Sequence, residues 1–358
     1  WSYWVTWVSY VPSEMIAAGI IMNGFFPEIG TVWWAVFFGG IVTILNLFRV
    51  DKFGESEFWL SLIKVTALVA FSAVALLICL GLIGEEGYIG SRILLGSGGF
   101  APNGYASIAL TMVIILVNFQ GTEIIGLAAG ETADPARSIP TAVRNVTWRI
   151  IALYIIPITL LISILPWDHA SLTESVFAAA LSEHGFTELA ALFSFVVLTA
   201  AISCSNSGLY GAARTVHALA TMGMAPRMLE GLSSKGVPSR AIYASIVFCW
   251  GVIAVYAMNP HGQLYTYLLA LSGFSGAMAW ISICWSQYRR RRRLEAENVV
   301  SLLRYRMPLF PYVTLFGIWA QVLCLAFMIF TPELRSALYL GVPMLVVPMI
   351  LYRFLRCE

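Results

Sequence analysis

Residues 106–130 read ASIALTMVIILVNFQGTEIIGLAAG, and the reading of this stretch decides the fold. It carries a single charge, Glu123, and is long enough to cross ~30 Å of hydrocarbon as a helix. Its middle, Asn118-Phe119-Gln120-Gly121-Thr122-Glu123, sets a glycine among hydrogen-bonding side chains at mid-depth. A helix that stops and restarts there frees carbonyls, which accept bonds from an ammonium, and amides, which favour a carboxylate. Irregular backbone at that depth is tolerated only where it lines a cavity. A zwitterionic amino acid asks for both kinds of partner. The plainer alternative is a glycine kink in an unbroken helix.

Nine similar apolar stretches surround it, near 3–24, 31–48, 58–83, 146–166, 189–212, 241–258, 264–286, 309–330 and 336–355. Of the 358 residues 59% are hydrophobic and 11% charged, against roughly 25% charged in a soluble domain. That composition excludes a soluble enzyme, a disordered chain and a nucleic-acid module. A transmembrane barrel would need ~10-residue segments alternating in polarity, and these runs do not alternate. The chain therefore reads as an all-α integral membrane protein with ten spans in a single domain over residues 1–358.

Basic residues orient the spans. Arg49 and Lys52, then Arg137, Arg144 and Arg149, then Arg214, Arg227, Lys235 and Arg240 fall in alternate connections. Arg289 to Arg293 with Arg304 and Arg306, and finally Arg353 and Arg356, complete the set. The opposite connections hold only Arg92 and Arg335, while 166–188 carries Asp168, Glu174, Glu183 and Glu188. This asymmetry puts the basic connections and both ends of the chain in the cytoplasm. The run Arg289 to Arg293 acts as a topology anchor with contact to anionic lipid. A net charge of +2 argues against a nucleic-acid partner. The six cysteines and the four histidines (His169, His184, His217, His261) lack ligand spacing, so no metal or cofactor is expected.

Charges inside the hydrocarbon are costly and mark function by default. Glu14 and Glu123 fall near the middle of their spans, either as functional groups or as structural partners in a helix–helix bond or a pair with a basic residue. Lys64 lies seven residues past Glu57, roughly 10 Å along a helix, and is either buried or snorkelling to the surface. Ser203 to Gly208, with Cys204 and Asn206, supplies hydroxyls and an amide to a pocket or glues helices together. Gly273 to Gly276 spells the GxSG of intramembrane serine proteases, but a nucleophilic Ser275 would need a base in reach, and no histidine lies mid-span.

Several of these motifs, in this order, resemble one known family. Gly54-Glu55-Ser56-Glu57-Phe58-Trp59, running to Ile63-Lys64, is similar to the start of the fifth helix of bacterial amino acid permeases. Phe119 to Glu123, then Gly130-Glu131, Asp134-Pro135, Arg137 and Ile139-Pro140, resembles their sixth helix and the following loop. Asn206 to Tyr210, Arg214, Ala225-Pro226 and Gly236-Val237-Pro238 resembles the eighth helix and its loop. The family is the amino acid–polyamine–organocation superfamily, in its proton-coupled amino acid transporter branch.

The resemblance implies a leucine-transporter-type inverted-repeat bundle of twelve helices, of which the ten spans correspond to helices three to twelve. Two helices would then precede Trp1, including the broken first helix that takes the substrate carboxylate. It also implies roles. Asn118, Phe119, Gln120, Gly121, Thr122 and Glu123 would bind substrate, the backbone near Phe119 to Gly121 meeting its ammonium. Phe119 could close over it, and Ser203 and Asn206 would line the side-chain pocket. Lys64 matches a lysine standing where sodium-coupled relatives bind a cation, with Glu14 and Glu123 as proton carriers or its partners. The expected activity is proton-coupled import of an amino acid across the cytoplasmic membrane by alternating access. An amino acid or amine exchanger is the alternative, and an intramembrane protease belongs to another class. The partners expected are an amino acid substrate, protons and membrane lipids, with substrate identity and oligomeric state left open.

Overall fold

The computed structural model describes residues 1–47, 50–84, 87–96, 98–99, 101–127, 132, 134–170, 175–234, 236–260, 263–303, 305–330 and 332–355. Arg49, Gly130, Glu131, Glu174, Lys235, His261, Arg304 and Arg356, all used above, and Cys357 among the six cysteines lie outside the described residues. Among the described residues every regular element is helical.

The long helices are α1 (Ser2–Phe25), α2 (Thr31–Leu47), α3 (Val50–Cys79), α10 (Thr187–Thr221), α11 (Ser239–Met258), α12 (Leu264–Ala296), α13 (Tyr312–Phe327) and α14 (Pro332–Leu355). Two spans are composite. The stretch quoted first forms α5 (Tyr105–Val117) and α6 (Ile124–Leu127), with turns between them. The next runs through α7 (Pro135–Ile150), a π-turn at Ile151–Ile155 and α8 (Ile156–Ile164). Short helices α4 (Gly90–Leu95) and α9 (Val176–Glu183) cover the connections on the acidic side. Each of the ten expected stretches coincides with one of these segments.

Several helices run beyond their apolar stretches. The helix expected to begin near 146 starts at Pro135, because the Asp134 carboxylate caps the Arg137 amide at 3.2 Å and Pro135 is preset for a first turn. Helix α12 continues through the arginine run to Ala296, laced by Arg291–Glu295 at 3.2 Å and Arg293–Glu297 at 2.8 Å, each one turn apart.

Helix α1 is the axis of the bundle, buried along most of Val5 to Gly19 and packed against α2, α10, α11 and α12. Its closest neighbour is α10, where Gly208 and Gly211 face the Trp7 indole. A Cβ on Gly208 would sit 2.8 Å from Val11 Cγ2 and 2.9 Å from Trp7 Cε3. Small residues set this approach, as between membrane helices generally. Pro12 deprives the Val8 carbonyl of its helical donor, and the Cys249 thiol of α11 meets that carbonyl at 3.9 Å.

Candidate functional site

The helix at 118–123 is broken rather than merely kinked. Gly121 takes φ +101°, a left-handed backbone suited to glycine, and helical geometry resumes only at Ile124. The side chains in the break hold it open in a fixed shape. Glu123 accepts the Gly121 amide on both oxygens at 3.1 Å, the Tyr3 hydroxyl at 3.0 Å and the Trp280 indole N–H at 3.1 Å. One carboxylate thus ties α1, the break and α12 together. Gln120 donates to the Ser272 carbonyl at 3.0 Å and accepts from the Ser272 hydroxyl at 3.1 Å. Gly276 leaves the room this needs, since a Cβ there would collide with the Gln120 amide.

On its other flank the break meets the π-turn. The Tyr154 hydroxyl donates to the Asn118 carbonyl at 3.1 Å, and its ring stacks on Phe119 with centroids 5.2 Å apart and planes at 20°. Thr122 turns back to the Phe119 carbonyl at 3.4 Å. A π-turn adds one residue per turn and recurs at functional sites; here it brings Tyr154 opposite the break.

Beside the break opens a cavity of about 330 Å³, of the size that takes small ligands, roughly 300–1,000 Å³. Gln120, Gly121 and Thr122 line one wall, and Trp7 and Tyr10 of α1 another. Ser203, Cys204 and Ser207 of α10 face Glu57, Ser61 and Lys64 of α3, with Arg149 and Tyr154 closing the remaining side. The cavity therefore combines a carboxylate, an ammonium, a guanidinium and several hydroxyls.

The α3–α10 wall is one connected network. Lys64 Nζ donates to Ser203 Oγ at 2.8 Å, and Ser203 Oγ donates to Glu57 Oε2 at 2.7 Å. Asn206 Nδ2 holds the other oxygen, Oε1, at 2.6 Å. Asn46 of α2 donates to Asn206 Oδ1 at 2.7 Å, which fixes the way the Asn206 amide faces. Lys64 is thus directed inward at α10 rather than snorkelling. Ser203 and Asn206 are 1% and 0% exposed, so the lysine is tethered to the buried face of α10.

The structure gathers Lys64, Ser203, Gln120, Gly121 and Thr122 around one cavity, with Asn206 directly behind its wall. Asn118, Phe119 and Glu123 stand in the break but turn to Tyr154, α1 and α12. Glu14 lies next to Tyr10, within electrostatic reach of Lys64. Sequence reasoning used Glu57 only to gauge the depth of Lys64 and gave it no site role, although their seven-residue spacing puts both on one face of α3. It also passed over Tyr154 and Trp280, whose partners lie far away in sequence. Ser275 is buried and donates to the Leu271 carbonyl of its own helix at 2.7 Å. Among the described residues no three His, Cys, Asp or Glu side chains gather as a metal site.

Comparison with known proteins gives a consistent set of relatives. The profile of the family described as "Amino acid permease" matches residues 1–356. "Amino-acid permease RocC" of Bacillus subtilis is 36% identical over 351 residues, covering 97% of this chain and 74% of the relative. "Gamma-aminobutyric acid permease" of the same organism is 36% identical over 340 residues, covering 95% and 72%. "Lysine-specific permease LysP" of Escherichia coli is 35% identical over 377 residues, covering 99% and 76%. Proteins so named are transporters and not enzymes.

Proposed function

The chain belongs to the amino acid permease family, a family of multi-pass membrane transporters of amino acids, and from that premise we propose that it imports its substrate together with a proton. The observation that carries this reading is the bond from Lys64 Nζ to Ser203 Oγ at the cavity wall. An ammonium there bridges α3 and α10 when protonated and lets them separate when neutral. A proton then biases the inward and outward states differently, which is the requirement for coupling. Glu14, within electrostatic reach of Lys64, is one acid that can share this proton. Glu123, with three donors converging on it, serves instead to hold the break. The substrate ammonium lies against the backbone of Gln120 and Gly121, and its side chain extends toward Ser203 and Asn206. The chain lies in a bacterial plasma membrane with its basic connections and both described ends on the cytoplasmic side.

Two of these relatives are named for lysine and gamma-aminobutyrate, so the names support an amino acid substrate without choosing among them. The test is uptake of a radiolabelled mixture of the standard amino acids into proteoliposomes. Accumulation driven by an acid-outside gradient and abolished by a protonophore is expected. Uptake that requires amino acid inside and ignores the gradient would identify an exchanger and overturn symport.

A further inference from the structure

We propose that Glu57 receives the coupling proton from Lys64 through the hydroxyl of Ser203 and hands it toward the cytoplasm. This inference rests on the proton-coupled reading above and adds the path that the proton takes after Lys64.

The hydrogen bonds all run in one direction. Lys64 Nζ donates to Ser203 Oγ at 2.8 Å, and Ser203 Oγ donates to Glu57 Oε2 at 2.7 Å. Both donors already point the way that a transfer needs. A proton moves from Nζ to Oγ as the hydroxyl proton of Ser203 moves from Oγ to Oε2. Lys64 becomes a neutral amine, Ser203 remains a hydroxyl and Glu57 becomes a neutral acid. The charges +1 and −1 become zero and zero, so the sum is conserved and no co-reactant is needed. Neutralising an ammonium and a carboxylate together also removes the charge that low-dielectric surroundings oppose.

Position gives the step its direction. Glu57 lies seven residues nearer than Lys64 to the basic, cytoplasmic end of α3, about 10 Å along the helix. Helix α10 runs antiparallel, so Asn206 meets Glu57 where Ser203 meets Lys64. Asn206 donates to Oε1 at 2.6 Å, and Asn46 holds the Asn206 amide in that orientation by donating to its oxygen. The carboxylate is therefore aimed with Oε2 toward Ser203.

The other titratable or charged groups facing this pair are few. Helix α10 adds Cys204, the π-turn adds Tyr154, and across the cavity stand Glu14 and Tyr10 of α1 and Arg149 of α7. Helix α8, also packed on α3, carries no titratable residue in its sequence. Glu57 alone among these accepts a bond from the lysine's own partner.

The experiment compares wild type, Lys64→Ala and Glu57→Gln in proteoliposomes loaded with a pH-sensitive dye, using the radiolabelled amino acid mixture as substrate. Wild type is expected to acidify the lumen during uptake, with uptake rising at least tenfold from pH 8 to pH 6 outside. Glu57→Gln is expected to flatten that rise to under twofold and to lose lumen acidification, with exchange still above that of empty vesicles. Glu57→Asp, which keeps the acid, should recover most of the pH profile. A Glu57→Gln protein with the wild-type profile overturns the relay while leaving coupling at Lys64 standing. A wild type without lumen acidification overturns the coupled reading itself and the relay with it. Where Glu57→Gln fails to fold, Asn46→Ala decides: it keeps Glu57 but frees its clamp, and must weaken the pH dependence at least threefold. A wild-type profile in Asn46→Ala then overturns the relay.

Discussion

Gly121 gives its amide to both carboxylate oxygens of Glu123 at 3.1 Å, so the residue that permits the break and the residue that closes it lie two positions apart. Only the backbone of Gly121, at φ +101°, is strained for other residues, because a Cβ would meet nothing closer than Trp7 at 3.9 Å. Gly121→Val is therefore expected to act through conformation, costing about 1–3 kcal/mol at this φ, and to displace the backbone proposed to meet the substrate ammonium. Equilibrium binding of the labelled amino acid mixture checks it. Unchanged affinity would mean that the break has no part in holding substrate.

The anchoring of the break leads to a second expectation, about Glu123. Its carboxylate takes three donors, and Gln at the same position must turn an NH2 toward one of them. Leaving a buried donor opposed costs about 1–3 kcal/mol. Glu123→Gln should lower the melting temperature of the detergent-solubilised protein while keeping the pH profile of the remaining uptake. A collapsed pH profile at unchanged melting temperature would instead make Glu123 a proton carrier.

Under the proposed proton-coupled reading, removal of Lys64 separates coupling from folding. Lys64→Ala takes away the cation that bridges α3 to Ser203 and is expected to reduce gradient-driven accumulation at least tenfold. Lys64→Arg, which stays protonated, should bind substrate yet also fail to accumulate it, since the cycle needs a cation that can lose its proton. Undiminished, pH-dependent accumulation in either variant would remove Lys64 from the mechanism.

Much of this was legible along the chain, because the bilayer imposes simple rules on local sequence. Apolar length gave the ten segments, and the break was visible in Asn118 to Glu123 because hydrogen-bonding side chains beside a glycine at mid-depth have few other uses. What stayed hidden depends on register between helices. Glu57 reads as one acid at a helix start until α10 sets Ser203 and Asn206 opposite it. Tyr154 reads as an ordinary aromatic until a π-turn rotates it onto Phe119. Trp280 gives no sign that its N–H reaches Glu123 across 157 positions of sequence. The early start of α7 is a different case: Asp134-Pro135 is a local signal, and hydropathy overlooked it because those turns are polar.

The contact between α1 and α10 yields the last prediction, in which two glycines of helix interiors are expected to behave oppositely. Gly208 faces Val11 and Trp7, with room for no Cβ, whereas Gly251 of α11 has nothing within 4 Å. Replacing Gly251 by Ala adds helix propensity of up to about 1 kcal/mol without a clash. Gly208→Ala must push α10 off α1, and overpacking of this kind costs about 1–3 kcal/mol. Because Trp7 also lines the cavity, the same push moves the wall that carries Ser203 and Cys204. Thermal unfolding should rank Gly251→Ala at or above wild type and Gly208→Ala clearly below it, with uptake lost only in the second. Equal melting temperatures for the two variants would mean that α1 and α10 are not held by close backbone approach, and the positioning of Lys64 against Ser203 would need another cause.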